Sequence, residues 1–317
     1  MDANETKPYT AIKSDVLVTV SELYYKDGRT QQDIAERLGI SRATVINYLK
    51  QSRDQGLVEI KIKGSAYQGS ELELELRRKY ALKEVYITNT DHKRTAHEAH
   101  LSTARLAAKA LEGLLKNGDR IGVAWGRTIQ LVSKELSRKD IHSLTICQIT
   151  GSVMSEELIS AEASAIRFAE NLNGRCYTLH APAIMSQPNL AHQLRQEPVV
   201  NDQLERLKGL NRIIFSVGGI DLADPTRIKM ATDKELSSFL MNGAKALLCG
   251  HILNANGEHI EHDFSERIIG MKPNEIRSVP CKICVASQHH DAIAVRTALI
   301  GGYATHLVID KSLARLL

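Results

Sequence analysis

From residue 84 to the end of the chain, short apolar runs alternate with longer helical patterns, and no other feature restricts the possible folds as much. The runs are EVYIT, DRIGVAW, SLTICQI, RCYTL, RIIFSV, ALLCG, KICVAS and HLVID. Between them, apolar spacing predicts helices over 102–116, 128–137, 162–171 and 291–299. Strands apolar on both faces must be covered on both, and β–α alternation joins strands by crossovers. The expected fold class is therefore α/β, a mostly parallel Rossmann-like sheet with helices on either side. A chain of 317 residues has room for a second domain besides.

Ligands of such sheets bind beyond the C-terminal ends of the strands, so the turns after each run are the places to search. After Trp125, Gly126–Arg127–Thr128 leads into a helix. The glycine lets backbone approach a ligand, and Arg127, Thr128 and the helix N–H groups offer anion or hydroxyl contacts. Gly151–Ser152 ends the next run, and Gly218–Gly219 closes RIIFSV with Asp221 just beyond. SQHHD, residues 287–291, supplies His290 and Asp291, and Asp291 also suits the cap of the helix that follows. Glu162, Asp221 and Asp291 would make an isomerase-like set. No Gly-x-Ser-x-Gly elbow, P-loop or diagnostic acid–base spacing accompanies them, so no catalytic residue is assigned and no enzyme is expected. The alternative is a sugar-phosphate isomerase or deaminase with an accessory DNA-binding domain.

His259 and His262 lack a clear third ligand, and Cys281 and Cys284 would face opposite sides of a strand. Neither a metal nor a cofactor is expected. Five scattered cysteines, a start (MDANETKPYT) unlike a secretory signal and the lack of a bilayer-length apolar run predict a cytoplasmic protein with no membrane partner.

The N-terminal segment has a different logic. Ile12, Val16, Val20, Leu23 and Tyr24 have helical spacing that stops at Gly28, and Thr30 caps a short helix over 31–38. Ala35 is small where helices cross, Gly39 suits a turn needing positive φ, Ser41 caps a second helix and Val45 gives it an apolar contact. This is the pattern of a helix-turn-helix, whose second helix enters the major groove. LVEIKIK then alternates as a strand, completing a winged form with Lys61 and Lys63 on one side of the wing. Between 37 and 63 stand six cations and two anions, a net charge equal to that of the whole chain, +4. The second helix would read DNA with Ser41, Arg42, Ala43, Thr44, Ile46, Asn47 and Lys50, while Gln31 and Gln32 contact phosphate backbone. A symmetric oligomer on a two-fold operator is expected. The predicted domains are 1–63 (winged helix-turn-helix), 64–83 (linker and packing helix) and 84–317 (effector binding and oligomerisation).

With GVAWGRT, SVGG and the closing IGGYATHLVIDKSLARLL in view, the chain resembles the SorC family of sugar-binding transcriptional regulators, relatives of the DeoR-type repressors, over about residues 17–317. GHILNANG (250–257) and Gly301–Gly302 with Asp310 resemble further family segments. The resemblance implies homotetramers on palindromic operators and an effector domain similar in fold to sugar-phosphate isomerases and CoA-transferases. It also implies phosphorylated-sugar effectors, with Gly126, Arg127 and Thr128 in the phosphate-side turn, Gly151 and Ser152 in the next effector loop, and Glu162 where relatives commonly carry an amide. Two departures stand out. The family's Gly-Gly-x-x-Lys is Ser287-Gln288-His289-His290-Asp291 here, and its Gly-Ala-x-Gly-Asp is Gly243-Ala244-Lys245-Ala246-Leu247. Aspartate in place of lysine repels a phosphate dianion, which favours a neutral polyol or sugar read by Glu162, Asp221 or Asp291, while Arg127 keeps a sugar phosphate open. The expected function is that of a ligand-responsive regulator, a repressor, of a carbohydrate or polyol catabolic operon.

Overall fold

Thr30 and Ser41 decide where two of the N-terminal helices begin. In the computed structural model, which describes residues 9–58, 70–88, 95–153, 161–220, 231–287 and 291–317, helix α1 spans Tyr9–Tyr25, α2 Gln31–Leu38 and α3 Arg42–Asp54. The Thr30 hydroxyl accepts from Asp33 N while the Asp33 carboxylate accepts from Thr30 N, a reciprocal cap. Gly39 ends α2 in the left-handed region at φ 65°, and Ser41 Oγ accepts from Thr44 N at 3.1 Å. Val20, Leu23, Ile34, Ala35, Val45 and Leu49 form the buried centre of the three helices. Ser52 Oγ donates to Leu17 O at 3.2 Å, linking α3 to α1. The wing, with Lys61 and Lys63, lies outside the described residues.

By its internal contacts the chain divides into residues 1–67 and 68–317. The second unit opens with α4 (Glu71–Lys79) and β1 (Glu84–Thr88), which one buried carboxylate ties together. Glu73 Oε2 accepts from Ser70 N at 2.6 Å to start the helix, and Oε1 accepts from Ile87 N at 3.0 Å. The chain continues through α5 (Ala96–Leu114), β2 (Arg120–Val123), α6 (Arg127–Glu135), β3 (Thr145–Gln148), α7 (Ala161–Leu172), β4 (Arg175–Tyr177), α8 (Pro188–Gln196), α9 (Pro198–Leu207) and β5 (Arg212–Phe215). After these come β6 (Val217–Gly219), α10 (Asp233–Met241), β7 (Ala244–Leu248), β8 (His251–Asn254), α11 (Asp263–Glu266), α12 (Pro273–Ser278), β9 (Cys281–Ala286), α13 (Ala292–Ile300), β10 (His306–Asp310) and α14 (Lys311–Ala314). No described helix is long and apolar enough to cross a membrane.

Seven strands form the parallel sheet, in the order β1-β10-β9-β5-β2-β3-β4. Period-2 alternation sorts its side chains between two layers. Ile121, Val123, Ile146, Ile214, Ile283 and Val308 pack with α5, α6 and α7, whereas Cys147, Ile213, Phe215, Cys284 and Leu307 join the opposite core. Cys281 and Cys284 do face opposite sides. Gly122 is required for this packing, since a Cβ there would lie 2.4–2.8 Å from Ile149, Leu210 and Ile213.

Two expectations are corrected. RIIFSV is not one strand: the chain leaves the large sheet at Ser216, and β6 belongs to a separate antiparallel sheet, β6-β7-β8. The run ALLCG likewise contributes β7 to that small sheet, not to the parallel one.

Candidate ligand site and nucleic-acid interface

The strand order reverses between β2 and β5. After β2 the chain steps outward to β3 and β4; after β5 it steps the other way, to β9 and β10. Such a switch point opens a crevice at the carboxyl ends, because successive connections diverge there. Gly126 sits in that crevice at φ 119°, where L side chains are strained, and a Cβ on it would lie 2.9 Å from Ser216 Oγ beyond β5. It starts α6 without a side-chain cap, so Arg127 and Thr128 stand at the positive end of a helix dipole.

Across from them, α5 contributes His100, the aromatic member of a buried stripe otherwise made of Thr103, alanines and Leu111. His100 Nε2 and Thr128 Oγ1 are 2.9 Å apart. Burial, and next the Arg127 guanidinium, hold this imidazole below its ordinary pKa, while Asp291 and Asp310 pull the other way. It is therefore a neutral ring that can donate through one nitrogen and accept through the other. That electrostatic neighbourhood gathers residues from the ends of β2, β9 and β10 around α5. Ser287, which follows β9, and Asp310, which ends β10, are both buried, and each has a side-chain oxygen (Ser287 Oγ, Asp310 Oδ2) with no hydrogen-bond partner among the described residues.

Several expected residues have other work. Asp291 does not cap α13; its Oδ1 accepts from Gly219 N at 3.2 Å, binding the helix start to β6. Gly218 and Gly219 are not a terminal turn, since they lie inside β6 opposite Leu247 and Ala246. Gly151 is set by backbone crowding, because a Cβ would come within 2.4 Å of Pro182 O. Ser152 is held by Ala181 O, Ala183 N and the Gln148 amide, so its polar groups face neighbouring protein. Glu162 lies in the first turn of α7 and is felt electrostatically by Cys176 of β4, whereas it is absent from the groups that act on His100. Trp125 packs, half-buried, on the core that contains Phe215. Asp221 and His290 lie outside the described residues. Among the described residues no three His, Cys, Asp or Glu side chains are grouped to hold a metal. His259 packs on His251, and His262 caps α11.

In the first unit, α3 presents Arg42, Ala43, Ile46, Asn47, Lys50 and Arg53 to solvent, with Ile46 46% exposed. Thr44 is a correction: half-buried, its hydroxyl pairs with Ser41 Oγ at 2.8 Å inside the cap. Gln31 Oε1 accepts from Arg42 Nε at 3.4 Å, and Gln32 donates to Glu36 at 2.9 Å. Tyr24, Gly28, Arg29, Thr30, Gln31, Gln32 and Arg42 line an open groove of about 780 Å³. Arg29 was not expected there. Its position before the Thr30 cap was the available signal, because a cation just ahead of a helix start shares that helix's phosphate-facing end.

Fold and site together define a transcriptional regulator that joins a DNA-binding helix-turn-helix to a sugar-binding α/β domain. Residues 64–317 match the family described as "Putative sugar-binding domain", and residues 20–59 match "Winged helix-turn-helix DNA-binding". The uncharacterized transcriptional regulator YjhU of Escherichia coli (strain K12) is 31% identical, over 100% of this chain and 98% of its own. The deoxyribonucleoside regulator of Bacillus subtilis (strain 168) is 26% identical over 96% of this chain and 97% of its own. Among solved structures, that of the full-length sorbitol operon regulator SorC from Klebsiella pneumoniae superposes with a TM-score of 0.78 at 22% identity, covering 99% of both chains. The chain belongs to the SorC family of sugar-binding transcriptional regulators. Its relatives bear regulators' names, and it is a regulator, not an enzyme.

Proposed function

We propose that this chain is a cytoplasmic repressor of a carbohydrate or polyol catabolic operon, acting as a homo-oligomer, a tetramer, on a palindromic operator. Its effector would be a sugar, polyol or sugar phosphate held at the carboxyl ends of β2, β9 and β10. The observation that carries this reading is the group of His100, Arg127, Thr128, Asp291 and Asp310 at the reversal of strand order, in a chain that also bears a helix-turn-helix. Its mixture of neutral imidazole, hydroxyl, guanidinium and carboxylates suits a ligand with many hydroxyls and at most one anionic end. The names of the sorbitol operon and deoxyribonucleoside regulators support the same class of effector. On DNA, Arg42, Asn47 and Lys50 would contact base edges or phosphates, with Gln31, Gln32 and Arg29 on the backbone.

A mobility shift on the DNA upstream of the protein's own reading frame tests this, at stated salt, with D-sorbitol, D-mannitol, D-ribose, 2-deoxyribose 5-phosphate and fructose 6-phosphate. A retarded band that one of these compounds releases is expected. A band indifferent to the whole panel would overturn the sensor reading.

A further inference from the structure

We propose that Asp310 and Ser287 are ligand contacts, and that the part of the effector they bind is a hydroxyl-bearing carbon chain, not a phosphate. The inference rests on the sugar-sensor reading above and adds which residues hold which end of the ligand.

Asp310 is 1% exposed, yet its two oxygens are in unlike circumstances. Oδ1 accepts from Ser312 N at 2.8 Å, from Leu313 N at 3.0 Å and from the Ser312 hydroxyl, which starts α14. Oδ2 is buried and has no hydrogen-bond partner among the described residues. The helix cap therefore accounts for one oxygen only. A buried carboxylate oxygen left unpaired is costly and rare, and when it occurs near a crevice it marks a place for a donor.

The adjacent strand repeats the observation. Ala286 is in register with Ile309, so Ser287 and Asp310 leave β9 and β10 at the same level, side by side. Ser287 is 7% exposed and its Oγ is likewise buried without a hydrogen-bond partner among the described residues. One acceptor-only oxygen next to one hydroxyl is the arrangement that binds a second hydroxyl: the ligand O–H donates to Asp310 Oδ2 and accepts from Ser287 Oγ. A phosphate at physiological pH brings acceptors alone and would face two carboxylates, Asp291 and Asp310, that sense the same imidazole. Any anionic group is accordingly directed to the other end of the site, toward Arg127 and the start of α6.

The test is calorimetry and thermal shift on the full chain with the five compounds above and inorganic phosphate. Asp310→Asn keeps an acceptor for the α14 cap and puts an NH₂ donor in place of Oδ2; Ser287→Ala removes the neighbouring hydroxyl. The compound that binds the natural chain should bind Asp310→Asn at least ~10-fold more weakly, a loss of the size expected for a hydrogen bond to a charged group, and Ser287→Ala roughly 2- to 10-fold more weakly, as for a bond between neutral groups. The ligand-free melting curve of each variant is recorded alongside, so that a lost ligand affinity counts only in a chain that unfolds cooperatively. Unaltered ligand affinity in Ser287→Ala and in a folded Asp310→Asn would overturn the assignment and leave the sensor reading standing. So would phosphate binding that Asp310→Asn strengthens without weakening the sugar. A natural chain that no compound stabilises would overturn both.

Discussion

Arg42 and Lys50 stand on the same exposed face of α3 but should answer different questions. Arg42 is steadied by Gln31, a geometry that fits base reading. Arg42→Ala is expected to cost roughly 1–3 kcal/mol on operator DNA and much less on random DNA. Lys50→Ala should weaken both alike and reduce the slope of log K against log salt by about 1. Fluorescence anisotropy over a salt series separates the two, and a uniform loss in both variants would refute a base contact by Arg42. Buried histidines make a second prediction. Burial, and then neighbouring His259, pushes His251 down to about 3; burial, and then Lys83, pushes His306 down to about 4. In the unfolded chain both rings take up protons near the ordinary histidine value, about 6.5, so below that pH the unfolded state binds more protons than the native one. Stability is therefore greatest above about pH 6.5 and falls on acidification, and the urea midpoint at about pH 5 should lie below that at about pH 7.5. A midpoint that rises on acidification would contradict it.

At the scale of elements, Gly151→Ala should destabilise the second unit by about 1–3 kcal/mol, because the new methyl meets Pro182 backbone that cannot move aside. Differential scanning calorimetry checks this, and a neutral result would mean that the Pro182 segment yields. Backbone crowding of this kind is invisible in a sequence, where Gly151–Ser152 reads as any glycine turn at a strand end. What was legible followed from periodicity and capping. EVYIT and HLVID coincide with β1 and β10, and the caps at Thr30 and Ser41 fall where their side chains announced them. The small sheet was not legible, for a local reason. Its hairpin turns at Cys249 and Gly250, both at positive φ (50° and 92°), a primed two-residue turn that ordinarily uses Asn-Gly or Asp-Gly. Cysteine gave no such sign. The proposed ligand site divides in the same way: Gly126–Arg127–Thr128 could be found as a turn after a strand, whereas His100, Ser287 and Asp310 are polar residues buried among apolar ones. Only their three-dimensional company distinguishes them.

For the whole molecule, sensing and DNA binding must share one free energy of coupling. If a ligand lowers operator affinity by some factor, the operator lowers ligand affinity by the same factor. Calorimetry with and without operator measures one side and anisotropy with and without ligand the other. A ligand that binds tightly and leaves operator affinity untouched would refute regulation through this site. The connection from the proposed site to the small sheet is short. Only Ser216 separates β5 of the large sheet from β6 of the small one, and the Asp291 carboxylate grips Gly219 in that same β6. A joint one residue long has no slack to absorb movement. Any displacement of Asp291 would therefore pull on a strand laddered to β7 and, through it, to β8, so the small sheet is mechanically tied to the start of α13.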